Sequence, residues 1–128
     1  MRLLLDTHAY LWWLGGDAAL PQRVRTLIGD LESLVLVSAA SAWEIATKHR
    51  IGKLPGAAAI VSDIEASVRR QGFEPLAVTM RHGQRAGSLP GHHRDPFDRM
   101  LIAQAILEDC MMVSNESVFD SYGVDRLW

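Results

Sequence analysis

The sequence predicts a three-layer α/β/α fold built on a central parallel sheet of about five strands. Short apolar runs (RLLLD at 2–6, LVLV at 34–37, CMMV at 110–113) recur along the chain and are separated by longer stretches of helical periodicity. The runs are apolar at successive positions and do not alternate with polar residues, as expected of strands buried on both faces. Strands separated by helices connect as parallel crossovers, which lay helices over both faces of the sheet.

The elements follow in order. Arg2 to Asp6 reads as the first strand, and Thr7 to Leu14 as a helix carrying Trp12 and Trp13. Pro21 suits a first helical turn, and Val24, Leu27, Ile28 and Leu31 then mark an apolar helical face. Leu34 to Val37 is the second strand, followed by a helix from about Ala39 to His49. The turn-rich stretch Gly52 to Gly56 breaks the pattern, and a helix from Ala57 to Arg70 is closed by Gly72. Leu76 to Val78 is a third short strand, with a weaker helix near Arg81 to Gly87. The loop LPGHHR leads into a helix from Pro96 to Glu108, and Cys110 to Val113 and Val124 to Leu127 supply the last two strands.

Bulk properties bound the rest. A chain of 128 residues is expected to form one domain, residues 1–128, with a core large enough to need no disulfide or metal staple. With 48% hydrophobic and 22% charged residues the composition is that of an ordinary globular protein, not a disordered or collagen-like one. Cys110 is the single cysteine and reads as a buried structural thiol of a reducing compartment. The N-terminal MRLLLDTHAY is too short for a signal peptide, and no apolar run nears the ~20 residues of a membrane span. A soluble, cytoplasmic protein with no membrane partner is expected. The net charge of −2 offers no global attraction to nucleic acid, so a polyanionic substrate would be held locally, by a metal or a small basic cluster.

Ligands of open parallel sheets bind outside the carboxyl ends of the strands. Asp6 ends strand one; Glu44 lies one to two turns into the helix after strand two. Asp98 opens the helix before strand four, and Glu116 follows that strand. Four carboxylates from distant segments are thus expected at one sheet edge. Each also has a plainer explanation. Ser41-Ala-Trp-Glu44 fits a capping box, Asp95 an N-cap before Pro96, and Asp98 and Glu116 acids at positive helix ends. Asp6, finishing a buried strand, is the hardest to read as a cap. Two carboxylates about 5 Å apart repel by about 3 kcal/mol at an effective dielectric near 20, so four sharing a pocket call for a cation. Oxygen donors without clustered cysteine favour Mg²⁺, with Mn²⁺ as substitute, and Mg²⁺ takes one or two carboxylates directly while keeping waters. That chemistry suits phosphodiester hydrolysis by metal-activated water.

Four segments, LLLDTHAYLWWL, SAASAWEIATKHRIGKL, HHRDPFDRMLIAQA and MMVSNESVFDSYGVDRLW, in that order and spacing, resemble the PIN-domain ribonucleases, above all the VapC-type toxins of bacterial toxin–antitoxin pairs. The resemblance covers essentially the whole chain. It implies a PIN-like fold, Mg²⁺-dependent endonucleolytic cleavage of RNA, a small antitoxin that plugs the acidic groove, and a homodimer. Carried over by position, the family's acids fall on Asp6, Glu44 and Asp98. Its fourth, usually an aspartate in a T-x-D triplet, meets Ser114-Asn115-Glu116, where the longer side chain suggests a water-mediated role. On this reading Asp6 and Asp98 bind the metal directly, Glu44 and Glu116 act through water, and Asp95 is a further metal candidate whose capping role is preferred. Arg94, Arg99, Lys48, Arg50 and Lys53 are candidate phosphate contacts, with a solvated helix face as the alternative. His92 and His93 sit on the loop beside the site, where an incidental role is preferred to the alternative of a shared general base, and His8, at a helix start, reads as packing. Trp12, Trp13, Trp43 and Trp128 read as core or dimer interface more than as base-stacking residues.

Other classes fit less well. A haloacid-dehalogenase-type phosphotransferase needs an aspartate two residues after Asp6, where this chain has His8, and a response-regulator receiver needs an acceptor aspartate after strand three, where it has Ala77-Val78-Thr79-Met80. The remaining rival is a catalytically weak PIN-like module that binds RNA or antitoxin without cutting.

Overall fold

A computed structural model describes residues 1–91 and 93–128. They form one five-stranded sheet with strands β1 (Arg2–Leu5), β2 (Leu34–Ser38), β3 (Glu74–Leu76), β4 (Met111–Val113) and β5 (Arg126–Leu127), ordered β3-β2-β1-β4-β5 and parallel at every pairing. The helices are α1 (Thr7–Gly15), α2 (Gln22–Ile28), α3 (Ala39–Arg50), α4 (Ile64–Arg70), α5 (Met80–Ser88) and α6 (Pro96–Leu107). Short 3-10 turns occupy Pro55–Ala57 and Ser117–Tyr122.

The strand pleat sorts the core into two halves. Leu3, Leu5, Val35, Val37 and Val113 point to one face, where Ala9, Tyr10, Val24, Ile28, Ile45 and Val68 of α1 to α4 cover them. Leu4, Leu36 and Met112 point to the other face, against Leu101, Ile102 and Ala105 of α6, with Phe119 and Val124. Because β1 is central and covered on both sides, Leu3, Leu4 and Leu5 are all buried, which is why the run carries no polar residue. Helix α5 lies along α6, and His82 ties the two by placing Nε2 2.9 Å from Glu108 Oε1.

Several local expectations change. The helix foreseen over Ala57 to Arg70 begins at Ile64, because the Asp63 side chain accepts from the Ala66 amide at 2.9 Å and stops the helix from extending further back. Residues 58–62 are turns. Leu31 leaves the apolar face of α2: the helix ends at Ile28 and Leu31 is fully exposed in the following turn. Pro21 is the N-cap of α2 and not inside its first turn. Strand β3 lies two residues earlier than expected, at Glu74–Leu76, since Thr79 is taken up as the N-cap of α5 in a reciprocal capping box with His82. Of the four tryptophans, Trp12, Trp13 and Trp128 pack against the core, whereas Trp43 is 63% exposed.

Candidate active site

The parallel register aligns the strand ends. Leu5 pairs with Val37 and with Val113, so the next residues, Asp6, Ser38 and Ser114, stand side by side at the carboxyl edge of the sheet. All three are buried. Asp6 also donates its backbone N–H to Val113 O at 3.1 Å.

Strand β1 passes into α1 with no intervening loop, so the residue that ends the strand is also the helix N-cap. Asp6 Oδ1 accepts from the Ala9 amide at 2.8 Å, so the acid expected to be hardest to read as a cap is the N-cap of α1. Burial pushes the Asp6 carboxyl above its ordinary value. Hydrogen bonds from the Ser114 side chain and the Ala9 amide, with the charge of His8, oppose the shift, and the charge of Glu116 adds to it.

Glu44 is 4% exposed on α3. Its Oε1 lies 2.5 Å from Thr7 Oγ1, which is itself 3.1 Å from Ser41 Oγ, and its Oε2 pairs with Lys48 one turn on. The capping box expected at Ser41 and Glu44 is absent: α3 starts at Ala39 with Ser38 as its cap, placing Glu44 beyond the first turn, where no free backbone N–H remains. Lys48, expected on phosphate, is engaged by Glu44; its pKa is raised by that contact first, with the charges of Glu44, Asp95 and Asp98 adding to it.

Asp98 lies in the first turn of α6, and its Oδ2 is 2.8 Å from His93 Nε2. Burial raises its carboxyl to about 6; the His93 hydrogen bond opposes the shift, and the charges of Asp95 and Glu116 strengthen it. Asp95 Oδ1 caps α6 by accepting from the amides of Phe97 at 2.9 Å and Asp98 at 3.2 Å, so capping accounts for the acid that was also a metal candidate. Glu116 is half-buried, its amide held by Ser114 Oγ at 3.0 Å; its side chain makes no cap hydrogen bond to the turn it precedes. Its charge acts on both Asp6 and Asp98, and the charges of Glu44 and Asp98 both act on Lys48. Glu116 therefore lies within electrostatic reach of both Asp6 and Asp98, and Lys48 within reach of both Glu44 and Asp98.

The basic candidates divide. Arg99 donates from Nε to Ala86 O at 3.1 Å, from Nη1 to His93 O at 3.1 Å and from Nη2 to Leu89 O at 2.6 Å. That occupies the guanidinium within the protein and corrects its placement on phosphate. Arg94 is exposed on the loop before α6. Arg50 is exposed six residues beyond Glu44, about 9 Å farther along the helix axis. Lys53 is exposed in the turn that closes α3. The structure leaves Arg94 nearest the acids in sequence and places Arg50 and Lys53 toward the far end of α3. His92 lies outside the described residues. Thr7, Ser114 and His93 were not foreseen as partners of the acids. The strand register would have indicated Ser114, which follows β4 as Asp6 follows β1; nothing in the local pattern marks His93.

Among the described residues, no group of three His, Cys, Asp or Glu side chains is arranged to hold an ion directly. The donor chemistry nonetheless fits a hydrated hard cation: all four acids offer oxygen, two of them are disfavoured as anions by burial, and Mg²⁺ needs only one or two protein carboxylates. No described helix is long and apolar enough to cross a membrane.

Comparison with known proteins places this geometry. Across its full length the fold matches VapBC2 from Rickettsia felis, in a crystal structure bound to a promoter DNA fragment, with a TM-score of 0.72, 15% identity and coverage of 99% of this chain and 98% of that one. It also matches Mycobacterium tuberculosis VapC20, described as a sarcin-ricin-loop-cleaving toxin, with a TM-score of 0.66, 16% identity and 98% coverage of both chains. Ribonuclease VapC16 of Mycobacterium tuberculosis is 41% identical over 69 residues, 54% of this chain and 48% of that protein, so the matched stretch spans about half the relative's length. The PIN domain profile matches residues 3–124, nearly the whole chain, and the protein belongs to the PIN-domain family.

Proposed function

We propose that the protein is an endoribonuclease of the VapC type, the toxin of a toxin–antitoxin pair, which hydrolyses RNA phosphodiesters with Mg²⁺, or Mn²⁺ in its place. The observation that carries this reading is the pair Asp6 and Asp98, both raised by burial and both under the charge of Glu116 at the carboxyl edge of a PIN fold. Carboxylates that are buried and also under the charge of a third acid are disfavoured as anions, and a cation bound among them would relieve that cost. Asp6 and Asp98 are the residues that would bind it. Glu44 and Glu116 would orient waters around it, Glu44 with its carboxylate fixed by Thr7 and Lys48. When bound, such an ion activates water for attack on phosphorus and offsets the charge that gathers on the phosphate. The chain's own part is to hold the carboxylates in place through Ser114, Thr7 and the Ala9 amide, which keeps the site preorganised.

Residues 1–128 act as a single domain in this reading, in the cytoplasm and as a homodimer. The partner is a cognate antitoxin, in keeping with the likeness to VapBC2 and to a toxin–antitoxin complex from Klebsiella pneumoniae, for which the TM-score is 0.58 at 13% identity over 90% of this chain. Arg94, exposed and next to Asp95 in sequence, is the proposed contact for substrate phosphate. The test is cleavage of structured RNA by purified protein with Mg²⁺ or with chelator, compared with Asp6→Asn and Asp98→Asn. Loss of cleavage in chelator and in both variants supports the nuclease. Undiminished cleavage in both variants refutes it, and absence of cleavage in the wild type with retained RNA or antitoxin binding would assign the chain to a binding module.

A further inference from the structure

We propose that His93 is a positioning residue that holds Asp98 in one orientation, so that one carboxylate oxygen remains directed to the site. The inference rests on the nuclease reading for its functional consequence and on the geometry alone for the hold itself.

A histidine on an irregular loop does not by itself have a fixed ring. Here the backbone of His93 is gripped at both of its polar groups. Its N–H donates to the Tyr122 hydroxyl at 3.3 Å, and its carbonyl accepts from Arg99 Nη1 at 3.1 Å. The same guanidinium fastens Ala86 in α5 and Leu89 just after it, so one side chain of α6 binds the end of α5 and two points of the segment that leads into α6. Gly91 completes the arrangement. At φ +93° it adopts a backbone conformation that side-chain-bearing residues rarely take, and a Cβ there would stand 2.8 Å from the Tyr122 hydroxyl. Two elements far apart in sequence, α6 and the 3-10 turn before β5, therefore clamp His93, and Arg99 is the immediate neighbour of Asp98.

The clamp delivers Nε2 to 2.8 Å from Asp98 Oδ2, with the imidazole ring only partly exposed. Asp98 Oδ1 has no hydrogen-bond partner among the described residues. A carboxylate at the third position of a helix otherwise retains rotamer freedom, and the like charges of Asp95 and Glu116 act on it. A fixed donor on Oδ2 removes that freedom. Donors placed behind metal-binding carboxylates act in this way, and their loss typically weakens metal affinity or activity by about 10- to 100-fold.

The test compares wild type with His93→Ala and with His93→Gln, whose side-chain amide restores a donor. The Asp98 χ1 rotamer is read from side-chain NMR couplings in chelator, and the midpoint of the Mn²⁺-induced rise in melting temperature is read separately. The expected result is one Asp98 rotamer in wild type and His93→Gln, averaging in His93→Ala, and a Mn²⁺ midpoint about tenfold higher in His93→Ala, restored to within about threefold by His93→Gln. An unchanged Asp98 rotamer in His93→Ala overturns the hold. Averaging with an unchanged Mn²⁺ midpoint overturns its functional consequence. Averaging in a protein whose wild type shows no Mn²⁺ response upholds the hold and sinks the nuclease reading instead.

Discussion

Asp98→Asn is expected to stabilise the metal-free protein and to abolish its response to divalent cations. Burial lifts the Asp98 carboxyl from 3.8 to about 6, against the pull of His93. The unfolded chain titrates at the ordinary carboxylate value, so across the interval from about pH 4 to 6 the native state binds this proton more tightly. Wild-type stability from this group therefore falls as pH rises through that interval and stays low above it. The full shift is worth at most about 3 kcal/mol, and residual solvent access brings it to about 2. The asparagine gives up the attraction of a carboxylate to the positive end of α6, about 0.3–1 kcal/mol, but still accepts from His93. The net gain is about 1 kcal/mol at pH 7.5, or about 4 °C in melting temperature for a chain of this size. Thermal unfolding in chelator at pH 7.5 and pH 5 measures it, and the gap between the proteins should narrow at the lower pH. With Mn²⁺ at about a hundredfold over its dissociation constant, wild type gains about 2.7 kcal/mol and the order reverses. A variant less stable than wild type at both pH values in chelator would show that the carboxylate serves the helix end and is not under strain from its neighbours.

Other outcomes follow from the same contacts. Arg99→Lys replaces three spaced donor nitrogens by one Nζ, which cannot stand at all three positions, and should cost about 1–3 kcal/mol in urea unfolding; a change within a few tenths would mean the clamp is ornamental. Gly91→Ala should cost about 1–3 kcal/mol, and adding Tyr122→Phe should relieve the hydroxyl contact but not the backbone strain, a double-mutant cycle separating this from the loss of the His93 N–H acceptor. Asp95→Ala should lose about 1 kcal/mol of helix cap while Asp95→Asn stays near wild type in both stability and Mn²⁺ response; a lost Mn²⁺ response in the asparagine variant would restore Asp95 as a ligand. Lys48→Met strands the buried Glu44 carboxylate and should destabilise by about 1–2 kcal/mol after allowance for the partial exposure of the lysine, measured by denaturant midpoint.

The layered fold was legible because its cause is local. Leu3–Leu5, Val35–Val37 and Met112–Val113 are apolar at each position since both faces of the sheet are covered, and that pattern survives in the sequence. The errors fall where two local signals compete. Asp63 stops α4 from extending back through residues that look helical, and Ser38 caps α3 ahead of the better-known pattern at Ser41 and Glu44. The acids were legible as strand-end and helix-start residues, but their partners were not. Thr7 meets Glu44 across 37 positions, and Tyr122 meets His93 across 29, so only the folded register brings them together. Arg99 misled for a related reason: an arginine beside an acidic motif reads as a phosphate contact until the carbonyls it serves are known.

Capping and chemistry are not rival explanations for these acids, because a cap occupies one oxygen and asparagine caps as well as aspartate. The informative question is why a charge stands where an amide would serve. At Asp95, which retains solvent access, the charge is cheap and the positive end of α6 favours it. At Glu44 the charge is met by Lys48. At Asp6, 4% exposed, an asparagine would cap α1 without the desolvation that pushes the carboxyl up, and Ser114 and Ala9 only partly relieve it. Asp98 and Glu116 add to the same deficit; Lys48 is already committed, leaving His93 against Asp98 and His8 near Asp6. Asp6 and Asp98 are therefore held above the ordinary carboxylate value although each also accepts a hydrogen bond, a cost that helix capping does not explain and that a bound divalent cation would offset.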